Sequence, residues 1–196
     1  DEIYEKIIFD NLNFTSFASL GKEVKDITLT VNGLSKSFSM TGWRIGYFAG
    51  PKEIADAVST LQDHSTSNPS SISQKAALAA FDLDSNYFLE IQKKFQERRD
   101  FIAKYIDEKL SKFISYVKPQ GAFYIFINIS KTKLESFEFA NRFLEESHVA
   151  VVPGDAFGFP SWIRISFAAS LDEIRKGLER LEVFLIKLKT EKLTRV

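Results

Sequence analysis

Lys36 and Arg44 stand eight positions apart in the run GLSKSFSMTGWRIG, residues 33–46. Glycines, hydroxyls and a tryptophan surround them, and no Asp or Glu occurs between Asn32 and Pro51. Two cations without nearby acids need some other partner. A lysine becomes an amine nucleophile when desolvation or a neighbouring positive charge disfavours its ammonium form. An arginine can grip a phosphate through two parallel N–H bonds, which a lysine cannot. The hydroxyls of Ser35, Ser37, Ser39 and Thr41, with backbone amides left accessible by glycine, could add donors to an anion. An aldehyde for Lys36 and a phosphate for Arg44 would satisfy both, and pyridoxal 5′-phosphate carries the two on one molecule. Composition by itself favours a plainer alternative, two solvated cations in a surface loop.

The elements around this run determine where it can sit. Lys36 follows a β-rich run, ITLTVNG (27–33), through a tight NGLS turn, which places it at a strand exit, where α/β proteins bind ligands. Further β-rich runs are IGYFAG (45–50), AFYIFINI (122–129), VAVVPG (149–154) and WIRISFA (162–168). Helical periodicity fills the intervals: PKEIADAVSTLQ after Pro51, the Ala- and Leu-rich SISQKAALAAFDL, a long segment from Asn86 to about Lys112, one near 135–147, and a last helix from about Leu171. The 86–112 helix is long enough to join two domains, and the tail beyond Lys187 is expected to fray. The order reads as α/β followed by a smaller α+β unit.

One more cation is notable. Arg164, flanked by Ile163 and Ile165 in a strand, alternates onto the opposite face from them. A buried guanidinium needs an anion, and a rim arginine paired with an acid such as Asp155 is the plain reading. Most of the 19 phenylalanines are expected in cores, and Trp43 is expected to buttress the lysine loop.

The whole chain narrows the classes of function. It has 196 residues, 44% hydrophobic and 27% charged, the balance of one or two globular domains. Twenty-six basic residues cancel 26 acidic ones, so no global field points to nucleic acid or an anionic membrane. Zero cysteines exclude disulfides and thiolate sites, which is compatible with a reducing cytoplasm. His64 and His148, without clustered carboxylates, argue against a metal, and no apolar run approaches the roughly 20 residues of a membrane span. The opening DEIYEKIIFD, with no initiator methionine, is expected of a fragment or a processed product.

The run 33–46 resembles the pyridoxal-phosphate attachment motif of the class I aminotransferases of fold type I, and its MTGWRIGY is similar to an aspartate aminotransferase-like subgroup. Gly33, Leu34, Ser35, Lys36, Arg44, Ile45 and Gly46 fit the motif without a gap. The likeness continues in DEIYEKIIFD, PQGAFYIF (119–126), VPGDAFG (152–158) and the RIS of 164–166. It implies that Lys36 forms the Schiff base and moves the α-proton, and that Ser35 and Arg44 bind the cofactor. It also implies that Asp1 faces the pyridine nitrogen, that Tyr4 faces the phenolic oxygen, and that Arg164 clamps the substrate's α-carboxylate.

The same resemblance implies a fold: the C-terminal part of a large, mostly parallel domain over 1–85, a connecting helix over 86–112, and a small domain over 113–196. Only the second half of such proteins is covered, so an incomplete, inactive fragment is expected. The implied reaction moves an amino group between an amino acid, with aspartate the best candidate, and a 2-oxo acid, in a cytoplasmic homodimer. A carbon–sulfur lyase and an aminotransferase-like ligand sensor of a regulator remain as alternatives.

Overall fold

The computed structural model describes residues 1–193. Its first part is organised around a glycine pair. Strand β1 (Thr30–Gly33) runs antiparallel to β2 (Gly46–Ala49), with Gly33 directly opposite Gly46. A Cβ on Gly33 would lie 3.1 Å from the Gly46 Cα, 3.2 Å from the Ile45 carbonyl oxygen and 3.3 Å from the Ile3 side chain. Glycine is therefore what lets the two strands and the N-terminal segment close on one another.

Contacts divide the chain into two units, Asp1–Gln92 and Lys93–Val196. The first holds the short helix α1 (Lys22–Asp26), the β1–β2 hairpin, α2 (Lys52–Asp63), α3 (Ser71–Phe81) and the start of α4 (Ser85–Tyr105). Pro51, with φ −54°, leads into α2, where Lys52 pairs with Asp56 one turn on at 2.5 Å. Helix α3 buries Ser73, Ala77 and Ala80, an i, i+4, i+7 stripe. Its alanines form a core with Leu34 and Met40 from the lysine loop, flanked by Phe38 and Ile45. Full burial of Leu34 contributes about 1.5–3 kcal/mol, so the loop is fixed by packing as well as by hydrogen bonds.

The second unit contains β3 (Ser115–Val117), β4 (Tyr124–Asn128), α5 (Ser136–Ser147), β5 (Val152–Pro153), β6 (Trp162–Ser166) and α6 (Leu171–Leu193), with sheet order β3-β4-β6-β5. One sheet face buries Ile125, Ile127 and Ile163, and helix α5 packs on the sheet and on α6. Phe139 and Phe143 of α5 meet Phe184 of α6 at 5.2 and 5.1 Å between ring centroids. Helix α4 ends in a wider π turn, Ile106–Leu110. Its Arg99 is fully buried, donates to the Pro119 carbonyl at 2.9 Å and pairs with Asp100 at 2.8 Å. That arginine ties the helix to the turn preceding β4.

The α/β class stands. The described strands all pair antiparallel; the mostly parallel sheet is expected of the large domain as a whole, of which the chain is expected to hold the C-terminal part. The antiparallel pairing follows from the connections: residues 34–45 fold back as a hairpin loop, not as the helical crossover that parallel neighbours require. Helix α6 continues past Lys187 to Leu193, with Leu181, Leu185 and Leu188 buried along it; residues 194–196, on which the expected fraying also falls, lie outside the described residues. Among the described residues no helix is long and apolar enough to cross a membrane.

Candidate functional site

Lys36 occupies the turn that leaves β1, and the backbone of that turn is bound to itself. The Leu34 carbonyl accepts from the amides of Phe38 and Met40, at 3.3 and 3.2 Å, and the Lys36 carbonyl accepts from Ser39 at 3.2 Å. The Gly33 amide donates to the Asn32 side-chain oxygen at 2.7 Å. The Gly33 amide is therefore engaged within the chain, and this glycine serves close approach. Ser39 and Arg44 take left-handed backbone, φ 56° and 52°, which tightens the loop at both of its bends.

The N-terminal segment lies against this turn. The Glu2 amide donates to the Val31 carbonyl at 2.8 Å, alongside β1. The buried Ser37, next to Lys36, donates its hydroxyl to the Ile3 carbonyl at 3.3 Å. Asp1 accepts from the Ile3 amide at 3.0 Å, and the Tyr4 carbonyl closes a turn by accepting from Ile7 at 2.8 Å. The structure thus brings the Asp1–Tyr4 segment and the Ser35–Ser37 turn together, although 34 residues separate Ile3 from Ser37.

Arg44 ends the same loop in a different setting. Its side chain is exposed and donates to the Thr41 carbonyl at 2.8 Å. It lines a concavity of about 930 Å³ with Trp43, Tyr47, Gln62, Asn68 and Ser73, among others; Lys36, Ser35, Asp1 and Tyr4 are not in its wall. Helix α3 holds this end in place, because Ser73 donates to the Trp43 carbonyl at 2.8 Å. Trp43 is 44% exposed and lines the concavity, and the contact that braces this end of the loop is made by its carbonyl. Tyr47 was not singled out in the sequence. Burial first, then the charges of Glu5 and Glu2, raise its phenol above the ordinary value. Its signal was its place directly after the RIG that closes the loop, opposite Asn32 across the hairpin.

Arg164 lies in the second unit on the sheet face opposite Ile163, as strand alternation requires. Its guanidinium stands 4.2 Å from the Tyr124 ring centre and 4.7 Å from that of Phe157. Its Nε is buried without a hydrogen-bond partner. The suggested acid, Asp155, turns elsewhere: it accepts a short hydrogen bond from the buried Ser136 hydroxyl, and the Asp155 amide donates back to that oxygen at 3.1 Å. Among the described residues no group of three or more metal-ligating side chains occurs.

Comparison with known proteins places these features in context. A family model, aminotransferase class I and II, matches residues 1–181. The aspartate aminotransferase of Bacillus sp. (strain YM-2) is 46% identical over 191 residues, spanning 94% of this chain and 48% of that protein. The Bacillus subtilis aspartate aminotransferase is 44% identical over 194 residues, 95% of this chain and 48% of its own length. Among solved structures, the aromatic aminotransferase of Pyrococcus horikoshii superposes with a TM-score of 0.89 at 38% identity, over 96% of this chain and 51% of that one. The Thermotoga maritima aspartate aminotransferase gives 0.84 at 37% identity, over 94% and 46%. The chain thus spans about half the length of the curated relatives it matches.

Proposed function

The chain belongs to the aminotransferase class I and II family, and from that membership we propose that it carries the lysine-bearing part of a pyridoxal-phosphate-dependent aminotransferase with aspartate as amino donor. The donor is read from the relatives, several of which are aspartate aminotransferases. The donor set suits the cofactor. It offers one amine in a packed turn, one exposed guanidinium with N–H groups beyond the one given to Thr41, neighbouring hydroxyls, and a carboxylate on the segment bonded to the same turn.

When bound, the cofactor supplies an aldehyde that takes up the amino group and a ring that withdraws electrons from the α-carbon. Lys36 Nζ would hold the aldehyde and, once released, move the substrate's α-proton, a role worth about 10²–10⁴-fold in rate. Arg44, with Ser35, would bind the phosphate. Asp1 would keep a proton on the ring nitrogen, and Tyr4 would donate toward the phenolic oxygen. Arg164 would take the α-carboxylate of the amino acid, and the protein would act as a homodimer.

The observation that carries the reading is the contact between the Lys36 turn and the Asp1–Tyr4 segment through the Ser37–Ile3 bond. Its test uses the complete gene product, incubated with pyridoxal 5′-phosphate, reduced with borohydride and peptide-mapped. The added mass is expected on the peptide containing Lys36 and absent from Lys36→Ala, whose aspartate–2-oxoglutarate turnover falls at least about 10²-fold. Labelling of another lysine, or turnover retained in Lys36→Ala, refutes the assignment. Ammonia and pyruvate in place of a new amino acid would instead indicate lyase chemistry.

A further inference from the structure

The second unit holds an arginine, Arg164, with which no acid pairs among the described residues, and the way it is held suggests a role for its neighbours. Phe126 of β4 lies opposite Arg164 of β6, and Tyr124, two residues earlier, shares that sheet face. Tyr124 and Phe157 both stand within the roughly 6 Å at which an aromatic face attracts a cation. Phe126, stacked on Trp162 at 5.0 Å and edge-on to Phe157 at 6.0 Å, backs the arrangement. Among the described residues no carboxylate pairs with the guanidinium, while Asp155, the nearest acid before it in sequence, is held by Ser136.

We propose that Tyr124 and Phe157 are positioning residues that hold the Arg164 guanidinium between two aromatic faces, so that its charge stays available to an incoming carboxylate. This rests on the reading of Arg164 as the carboxylate-binding residue. An acid in the same place would fix the side chain equally well, but it would occupy the N–H groups that a substrate needs and lower the net positive charge. Aromatic faces attract the cation without offering it a competing oxygen. They also spare its long side chain part of the ordering cost on binding. The turn carrying Phe157 is itself fixed: a Cβ on Gly154 would lie 2.2 Å from the Phe159 carbonyl oxygen and 2.4 Å from that of Trp162.

The test measures KM and kcat for aspartate with the complete gene product loaded with pyridoxal 5′-phosphate. Tyr124→Leu is expected to raise KM by about 2- to 30-fold with kcat within about twofold of the parent. Tyr124→Phe, which keeps the ring face, is expected to bring KM back close to the parent value. Phe157→Leu sits at a half-exposed position that a smaller side chain can occupy without unfolding, and it should raise KM in the same direction. Arg164→Ala separates the two layers of the argument. If it leaves KM unchanged, the carboxylate reading itself is wrong. If it raises KM while Tyr124→Leu and Phe157→Leu do not, or if those two lower kcat at constant KM, the positioning role is overturned.

Discussion

Arg44, Arg99 and Arg164 carry one guanidinium into three settings, and the partner in each sets its use. Arg99, fully buried, donates to the Pro119 carbonyl and stands within ion-pair distance of Asp100, so its charge faces an acid and its work is to hold a turn. Arg44 is exposed and gives one bond to Thr41. Arg164 rests on aromatic rings. Arg44→Lys keeps the charge but loses the planar fork. The dissociation constant for pyridoxal 5′-phosphate, read by absorbance titration, is expected to rise about tenfold, the loss of one charge-assisted bond of about 1.4 kcal/mol. An unchanged constant would remove Arg44 from the phosphate site. At this scale the sequence was informative about residue type and face: the alternation of Arg164 against Ile163 followed from period two alone. It was silent about partners. Nothing in the spacing of Ser136 and Asp155, 19 residues apart, shows that the serine captures the acid first, because that depends on where α5 begins relative to β5.

Elements were more legible than their pairing. The stripe of Ser73, Ala77 and Ala80 makes α3 readable from composition, and Pro51 marks the start of α2. Strand partners are set by how the connections fold, and a β-rich run reads the same whether its neighbour runs parallel or antiparallel. Gly177, inside α6, offers a test at this level. A Cβ built there meets no atom within 4 Å, and glycine in a helix interior costs about 0.8–1.0 kcal/mol relative to alanine. Gly177→Ala should therefore stabilise the second unit by about that amount, raising its melting temperature by several degrees in calorimetry. A lower melting temperature would mean that the space beside α6 is not open.

Across the molecule the apolar residues are unevenly covered. The second unit buries Ile125, Ile127, Ile163, Phe139, Phe143 and Phe184 around one sheet face. The first keeps a small core about Leu34 and leaves Phe17, Ile27, Leu61, Ile72 and Leu78 more than half exposed; helix α2 buries no residue at all. Free energies of local opening follow such burial. In hydrogen exchange on the 196-residue polypeptide, amides of β4, β6 and α6 should be the slowest, and those of α2 at least about tenfold faster. Equal protection in α2 and α6 would contradict this ordering. The division between the two units falls inside α4, between Gln92 and Lys93, in the middle of a continuous helix. Anyone wishing to produce the second unit by itself therefore has no loop at which to cut: a gene boundary set at the division would leave a frayed helix with an uncapped start. The workable boundary begins at or before Ser85, so the excised piece must carry a stretch of helix whose packing residues belong to the part left behind.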